Sequence, residues 1–387
     1  MTAAGRGAYL DFNGSTPVDP QVRAAFLRAL DGALGNASAA HADGLAARAA
    51  IDAARRSIAH GLGADEGEIW FTSGGTESNN WAVLESAAAQ PGDAHLVVSS
   101  IEHKSVLQSA RRAQERGAAV TFLDPRPDGR VDLADLERAL RPNTRLVALM
   151  LANNETGLLQ PVAEAAALCR SRGVRLLCDA VAAIGKVPVD VRALGCDFLS
   201  ISAHKLYAPK GVGVLYIRSG VSLPPLILGC GQQCGMRGGT ENTAGVVALG
   251  VAFERLAQGA FDPARTARRC AWLWDAIREI CPSACLNGAG ARLPNTLSVA
   301  FPGYDAAALQ AALAERGVSV AAGAAASNGA LSHVLSAMRA PEELARGTLR
   351  FSLGAGLEDA DLELAVRALA DCLRRSPTRA PAPVAVP

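Results

Sequence analysis

From residue 69 to residue 217, short apolar runs alternate with longer segments dominated by Ala, Arg and Glu. The runs include Ile69-Trp70-Phe71-Thr72, Leu96-Val97-Val98, Val120-Thr121-Phe122-Leu123, Leu146-Val147-Ala148-Leu149-Met150, Val174-Arg175-Leu176-Leu177-Cys178 and Phe198-Leu199-Ser200-Ile201. Short runs that are apolar throughout read as strands buried on both faces, and the segments between them read as helical crossovers. The alternation predicts a mainly parallel sheet covered by helices on both sides.

The pattern changes after residue 256. Residues 242–256 read as a helix, Phe261-Asp262-Pro263 breaks it, and residues 264–280 read as another helix. Two strands, Thr296-Leu297-Ser298-Val299-Ala300-Phe301 and Thr348-Leu349-Arg350-Phe351-Ser352-Leu353, then sit among helices over 305–316 and 357–375. The expected division is a large domain over 15–255 and a small α+β domain over 256–375, with residues 1–14 packing on the small domain. Alternating Pro and Ala over 376–387 predict a disordered tail.

Composition narrows the function. The 387 residues are half apolar, carry 38 basic against 37 acidic groups, and include only 4% aromatics. No basic stripe or aromatic array suggests nucleic acid, and no metal-ligand set is read. The first dozen residues lack a signal-like apolar core and no apolar run is long enough to span a membrane, so a cytoplasmic protein is expected. Nine cysteines without a disulfide framework read as reduced thiols, by default small core residues.

Against that background Ser202-Ala203-His204-Lys205 stands out. A lysine after a strand is ordinarily solvated. One set between two apolar runs can instead be buried, lose pKa and act as a nucleophilic amine. Asp179, closing the run 174–178, offers the carboxylate that the ring nitrogen of pyridoxal phosphate requires. Gly74-Gly75-Thr76 follows a strand and opens a helix; such a turn is ordinarily a cap, but beside Ser202 and His204 it completes an anion site. His103 is either a loop histidine with a satisfied hydrogen bond or an imidazole stacked on a flat ring and available for proton transfer. Asn153-Asn154-Glu155-Thr156-Gly157 reads as a turn. Yet the clusters near 73, 103, 154 and 179 all follow strand C-termini, where α/β sheets place ligands.

These residues resemble the cysteine desulfurases, within the class V aminotransferase group of fold type I pyridoxal-phosphate enzymes. The likeness runs from Tyr9-Leu10-Asp11-Phe12-Asn13-Gly14 to Leu353 and includes 71–80, Glu102-His103-Lys104, 153–157, Asp179-Ala180-Val181, 202–213, Gly238-Gly239-Thr240-Glu241-Asn242, Ser332-His333-Val334-Leu335 and Arg350-Phe351-Ser352. The resemblance implies a mainly parallel seven-stranded sheet in the large domain. It makes Lys205 the anchoring Schiff-base lysine, Asp179 the partner of the ring nitrogen, and His103 the residue over the ring. Gly75, Thr76, Ser202 and His204 become phosphate ligands, joined by Thr240 from a neighbouring subunit. Asn13, Asn154 and Arg350 would bind an α-amino acid, and the shared site implies a homodimer.

The chain departs from that pattern at the position of the family's sulfur-accepting cysteine. There it reads Ala321-Ala322-Gly323-Ala324-Ala325-Ala326-Ser327-Asn328-Gly329, with Ala326 at the cysteine position, a loop two residues shorter, and no cysteine between Cys285 and Cys372. Ala182 stands where the family usually has glutamine, and Cys234 where it commonly has arginine. A persulfide needs a thiolate, which an alanine methyl cannot supply. The expected activity is therefore β-elimination of the carbon–sulfur lyase type, which speaks against a sulfur-acceptor protein as partner. Alternatives are a cysteine desulfurase, as an engineered Cys-to-Ala variant or with a thiol relocated to Cys230 or Cys234, an aminotransferase or decarboxylase, and a noncatalytic dimeric scaffold. Cys230 and Cys234 are read primarily as small packed residues.

Overall fold

The computed structural model describes residues 7–32, 35–88, 93–322 and 331–375. The alanine-rich loop around Ala326 and the tail expected over 376–387 lie outside the described residues.

Seven strands form the larger sheet: β1 Ile69–Thr72, β2 His95–Ser99, β3 Ala119–Leu123, β4 Thr144–Ala148, β5 Arg175–Asp179, β6 Phe198–Ser202 and β7 Gly213–Ile217. Their order is β1-β7-β6-β5-β4-β2-β3. From β6 to β3 all neighbours are parallel. β7 lies antiparallel between β6 and β1.

The uniformly apolar runs follow from burial on two faces. Along β4 and β5 alternate side chains enter different cores: Val147, Leu176 and Cys178 pack with Ile51, Ile58 and Phe253, whereas Leu146 and Leu177 pack with Trp81, Val83 and Leu107. Helices Ala42–Leu62 and Thr243–Ala257 cover the first face, and Gly75–Ala88 and Lys104–Glu115 the second.

A smaller antiparallel sheet, in the order Ala321–Ala322, Thr348–Ser352, Thr296–Ala300, Cys285–Leu286, has its own core around Leu273, Phe301, Phe351 and Leu369. Ala8, Leu10 and Phe12 are buried in that core, and Ala8–Tyr9 pairs in parallel with Val318–Ser319. Residues 13–19 then cross to the large sheet. Thr16 donates its N–H and hydroxyl to the His204 carbonyl at 2.9 and 3.0 Å, and Asp19 N–H reaches the Tyr207 carbonyl at 2.9 Å. Among the described residues no helix is long and apolar enough to cross a membrane.

Candidate active site

A cavity of about 400 Å³ opens at the C-terminal ends of β1, β2, β4, β5 and β6. Asn13, Gly75, Thr76, His103, Asn154, Asp179, Ser202, His204 and Lys205 all line it. Strands running in one direction bring Gly75 to Lys205 together because their C-terminal ends share one edge, and the N-terminal crossing segment adds Asn13. A groove of about 430 Å³ between the helices Pro263–Ile280 and Asp359–Arg375, lined by Arg265, Arg268, Trp272 and Asp359, holds none of the predicted site residues.

Lys205 sits in a 3₁₀ turn directly after β6, held by the N-terminal crossing segment. Its Nζ donates to the Gly14 carbonyl at 2.7 Å and to the Asn13 carbonyl. Burial, reinforced by the Arg350 guanidinium and opposed by Asp11 and Asp179, lowers its pKa to about 8. Two residues on, Tyr207 holds a positive φ of 56°, an uncommon conformation for a non-glycine residue.

Asp179, 4% exposed, closes β5. Its Oδ1 accepts the Val181 N–H at 2.9 Å, and its Oδ2 accepts the Asn79 amide at 2.8 Å. Each oxygen keeps a further lone pair for a ring nitrogen. His103 caps the helix Lys104–Glu115, its Nδ1 accepting the Ser105 N–H at 3.1 Å. Partial desolvation, together with Lys205, His333 and Lys104, lowers its pKa against the opposing pull of Asp179.

One end of the cavity is a backbone cradle. At the start of Gly75–Ala88, Ser73 and Gly74 give their N–H groups to Glu77 Oε2 and Thr72 Oγ1, at 2.8 and 3.3 Å. The N–H groups of Gly75 and Thr76 in the first turn lie beyond the reach of any intrahelical acceptor. A Cβ on Gly75 would meet Val181 Cγ2 at 2.6 Å, and one on Gly213 would meet Gly74 Cα at 2.5 Å. Thr72 and Ser202 both pair with Gly213 across β7, so this glycine lets the two strand ends close around the loop. His204 is pushed down to about 4 by burial and by Lys205, Lys210 and Lys186. It is thus a neutral donor or acceptor at this end rather than a cation.

Arg350 and Thr240 do not line the cavity. Arg350, 9% exposed, donates from Nη1 to the Asn154 carbonyl at 2.9 Å and from Nη2 to Asp11 Oδ1 at 2.6 Å; its Nε is buried without a partner among the described residues. Thr240 is exposed on the surface of its own chain. Asn13 faces the cavity, but its side-chain amide joins Thr296 Oγ1, the Asn154 carbonyl and Asn295, at 2.9, 3.3 and 3.1 Å. Cys230 and Cys234 are exposed, not packed as expected. In the tight turn Gln232–Gly235, Gln233 and Cys234 both have positive φ, and it is the Gln233 amide that fills the interior, bonding Phe71 N–H and C=O on β1 at 2.7 and 2.8 Å.

Three residues were not singled out by the sequence reading. Asn79 and Ser105 link Asp179 to His103. Lys186 donates to the Ala182 carbonyl at 2.7 Å and is lowered to about 7 by burial and by Lys205 and Arg350. Asn79 falls inside the stretch 71–80, but its role, like those of Ser105 and Lys186, comes from the packing of helices and turns.

These groups suit a flat, phosphorylated, aldehyde-bearing ring. They supply an amine depressed toward neutrality, a carboxylate with spare lone pairs, an imidazole at the mouth and a glycine cradle at a helix N-terminus.

The profile of the family described as aminotransferase class-V matches residues 8–364. The cysteine desulfurase IscS of Aeromonas salmonicida is 40% identical over 381 residues, covering 95% of this chain and 93% of that protein. The IscS of Anaeromyxobacter dehalogenans is 42% identical over 376 residues, with 95% and 92% covered. Among solved structures, a NifS-like protein superposes with a TM-score of 0.88 at 33% identity, over 95% of this chain and 99% of its own. SspA in complex with cysteine gives 0.81 at 36% identity, over 89% and 98%.

Proposed function

The chain belongs to the aminotransferase class-V family and is a pyridoxal-phosphate-dependent, cysteine desulfurase-like enzyme, and from that premise we propose that it cleaves a β-carbon–sulfur bond of an α-amino acid without forming a protein persulfide. Lys205 anchors the cofactor, Asp179 pairs with its ring nitrogen, and Gly75, Thr76, Ser202 and His204 hold its phosphate. When bound, the cofactor supplies a cationic conjugated ring that withdraws electrons from the substrate α-carbon.

Once the substrate amine has displaced it from the cofactor, Lys205 Nζ would be a free amine able to take the α-proton; the electron pair left behind would form the Cα–Cβ double bond as the Cβ–S bond breaks with its pair on sulfur. Hydrolysis of the three-carbon remainder gives pyruvate and ammonia. Asn154 and Arg350 bind the α-carboxylate, which replaces Asp11 on the guanidinium; the bidentate fork of arginine suits either carboxylate. Thr240, exposed and outside its own chain's cavity, completes the site of a second copy, and the enzyme acts as a homodimer.

The observation that carries the lyase reading is that no described residue lining the cavity is a cysteine; the family resemblance, which puts Ala326 at the acceptor position, supports it. Incubation with L-cysteine tests it. Equal amounts of pyruvate and sulfide are expected; alanine with a sulfur-loaded protein would overturn it. Cys230, just before the turn Gln232–Gly235, and Cys234, within it, are both exposed and favour a relocated thiol as the second reading. In that case alanine formation disappears in C230S/C234S.

A further inference from the structure

The His103 ring is wired into the interior. Its Nδ1 lies 2.8 Å from the Ser105 hydroxyl, besides accepting the Ser105 N–H at 3.1 Å. That hydroxyl receives the Asn79 amide at 2.9 Å, and the amide nitrogen also reaches Asp179 Oδ2 at 2.8 Å. Asn79, Ser105 and Asp179 are 1, 7 and 4% exposed, so water does not compete.

Donor directions follow from the chemistry of each group. A carboxylate only accepts, so the Asn79 atom facing Asp179 is its nitrogen. Both hydrogens of that NH₂ are then used, one on Asp179 and one on Ser105 Oγ. The Ser105 proton points away from its donor, toward His103 Nδ1. This nitrogen already receives a backbone N–H, so it carries no proton, and the proton of the neutral ring sits on Nε2, the nitrogen left free at the cavity that His103 lines.

We infer that Asn79 and Ser105 are positioning residues that hold His103 as the neutral Nε2–H tautomer, so that His103 stacks and donates one hydrogen bond while Lys205 alone carries the substrate proton. Nε2 has no lone pair to accept that proton, and giving its own away would leave an imidazolate, since Nδ1 has none to spare. The inference rests on the proposed function, with Lys205 anchoring the cofactor, and on His103 lying over its ring as the family resemblance implies. Of the charged groups around the ring, Lys205, Lys104 and His333 oppose an imidazolium and Asp179 favours it. Burial sides with the first three.

The chain has six histidines, which keeps a histidine-¹⁵N spectrum of the cofactor-free full-length protein simple to assign with H103Q. The expected parent signal is an Nε2–H tautomer titrating below the ordinary histidine range. S105A removes the hydroxyl donor to Nδ1 and should raise that pKa by roughly one unit, the effect of one hydrogen bond to the neutral form. N79D, whose carboxylate draws the Ser105 proton to itself, should raise it further. S105T should behave as the parent. An Nδ1–H tautomer in the parent, or a pKa unmoved in both S105A and N79D, would overturn the inference. Because the readout needs neither cofactor nor turnover, its failure is separable from that of the lyase reading, which product analysis judges.

Discussion

In the proposed function Lys205 captures the cofactor's aldehyde and must be unprotonated to do so, so its depressed pKa makes a quantitative prediction. With a pKa of about 8, ~1 in 4 of the amines are neutral at pH 7.5. At an ordinary lysine value near 10.4 that fraction is ~1 in 1,000, a difference on the order of 200-fold. Arg350 is the largest charge holding the pKa down after burial. R350Q removes it and also frees Asp11, whose carboxylate pulls in the same upward direction. An upward shift of roughly one unit follows, and well below the pKa each unit slows capture about tenfold. The assay is stopped-flow absorbance on mixing cofactor-free protein with pyridoxal phosphate from pH 6 to 9.5. A small-molecule amine run in parallel removes the titrations of the aldehyde itself. Parent capture should level off above pH 8, and R350Q should run slower at pH 7 with a later plateau. A parent profile still rising at pH 9.5, or an R350Q that captures faster at pH 7, would refute the argument.

Three other perturbations probe the scaffold. In G213A the new Cβ meets backbone on both sides, Gly74 Cα at 2.5 Å and Ile201 O at 2.6 Å; a loss of about 1–3 kcal/mol and at least ~10-fold weaker cofactor binding are expected. Fluorescence titration giving the parent affinity would count against the cradle. Burial first, and then Asp179, pushes the Glu102 carboxyl well above the usual range, while its Oε2 has no partner among the described residues. The folded form therefore keeps a proton that the unfolded chain releases above about pH 4.3. Stability conferred by this group is complete below that pH and lost as pH rises toward the folded pKa. E102Q should thus gain stability relative to the parent between pH 5 and 8, and denaturation midpoints that move in parallel would exclude this. Q233A leaves Phe71 N–H and C=O unpaired on the outermost strand and should cost about 1–3 kcal/mol in urea denaturation; no change in midpoint would mean that water takes over both bonds.

The legible part of the site was the part carried by local pattern. Strand runs of three to five residues, followed within a few positions by Gly, His, Asn or Asp, announced both the α/β sheet and the edge where the cavity lies, because burial on two faces forces continuous apolarity and parallel strands align their C-termini. Less legible was how β7 enters the sheet antiparallel between β1 and β6, although this is what closes Thr72 and Ser202 around Gly213. The exposed positions of Cys230 and Cys234 reversed the packed reading, since a side-chain amide and two left-handed residues form that turn and no periodicity encodes them.

From Ser202-Ala203-His204-Lys205 and Asp179, the sequence alone determined that a lysine and a carboxylate follow apolar strand runs, and hence which cofactor suits them; that the two strands are parallel neighbours came from the sheet. Tertiary structure decided their chemical state. Lys205 is depressed because the chain's N-terminal segment and Arg350 close over it. His103 is tied at Nδ1 because Asn79, from another helix, reaches Ser105. Proton affinity depends on desolvation and on charges within a few ångströms, and those neighbours lie 26 to 192 positions apart in the chain.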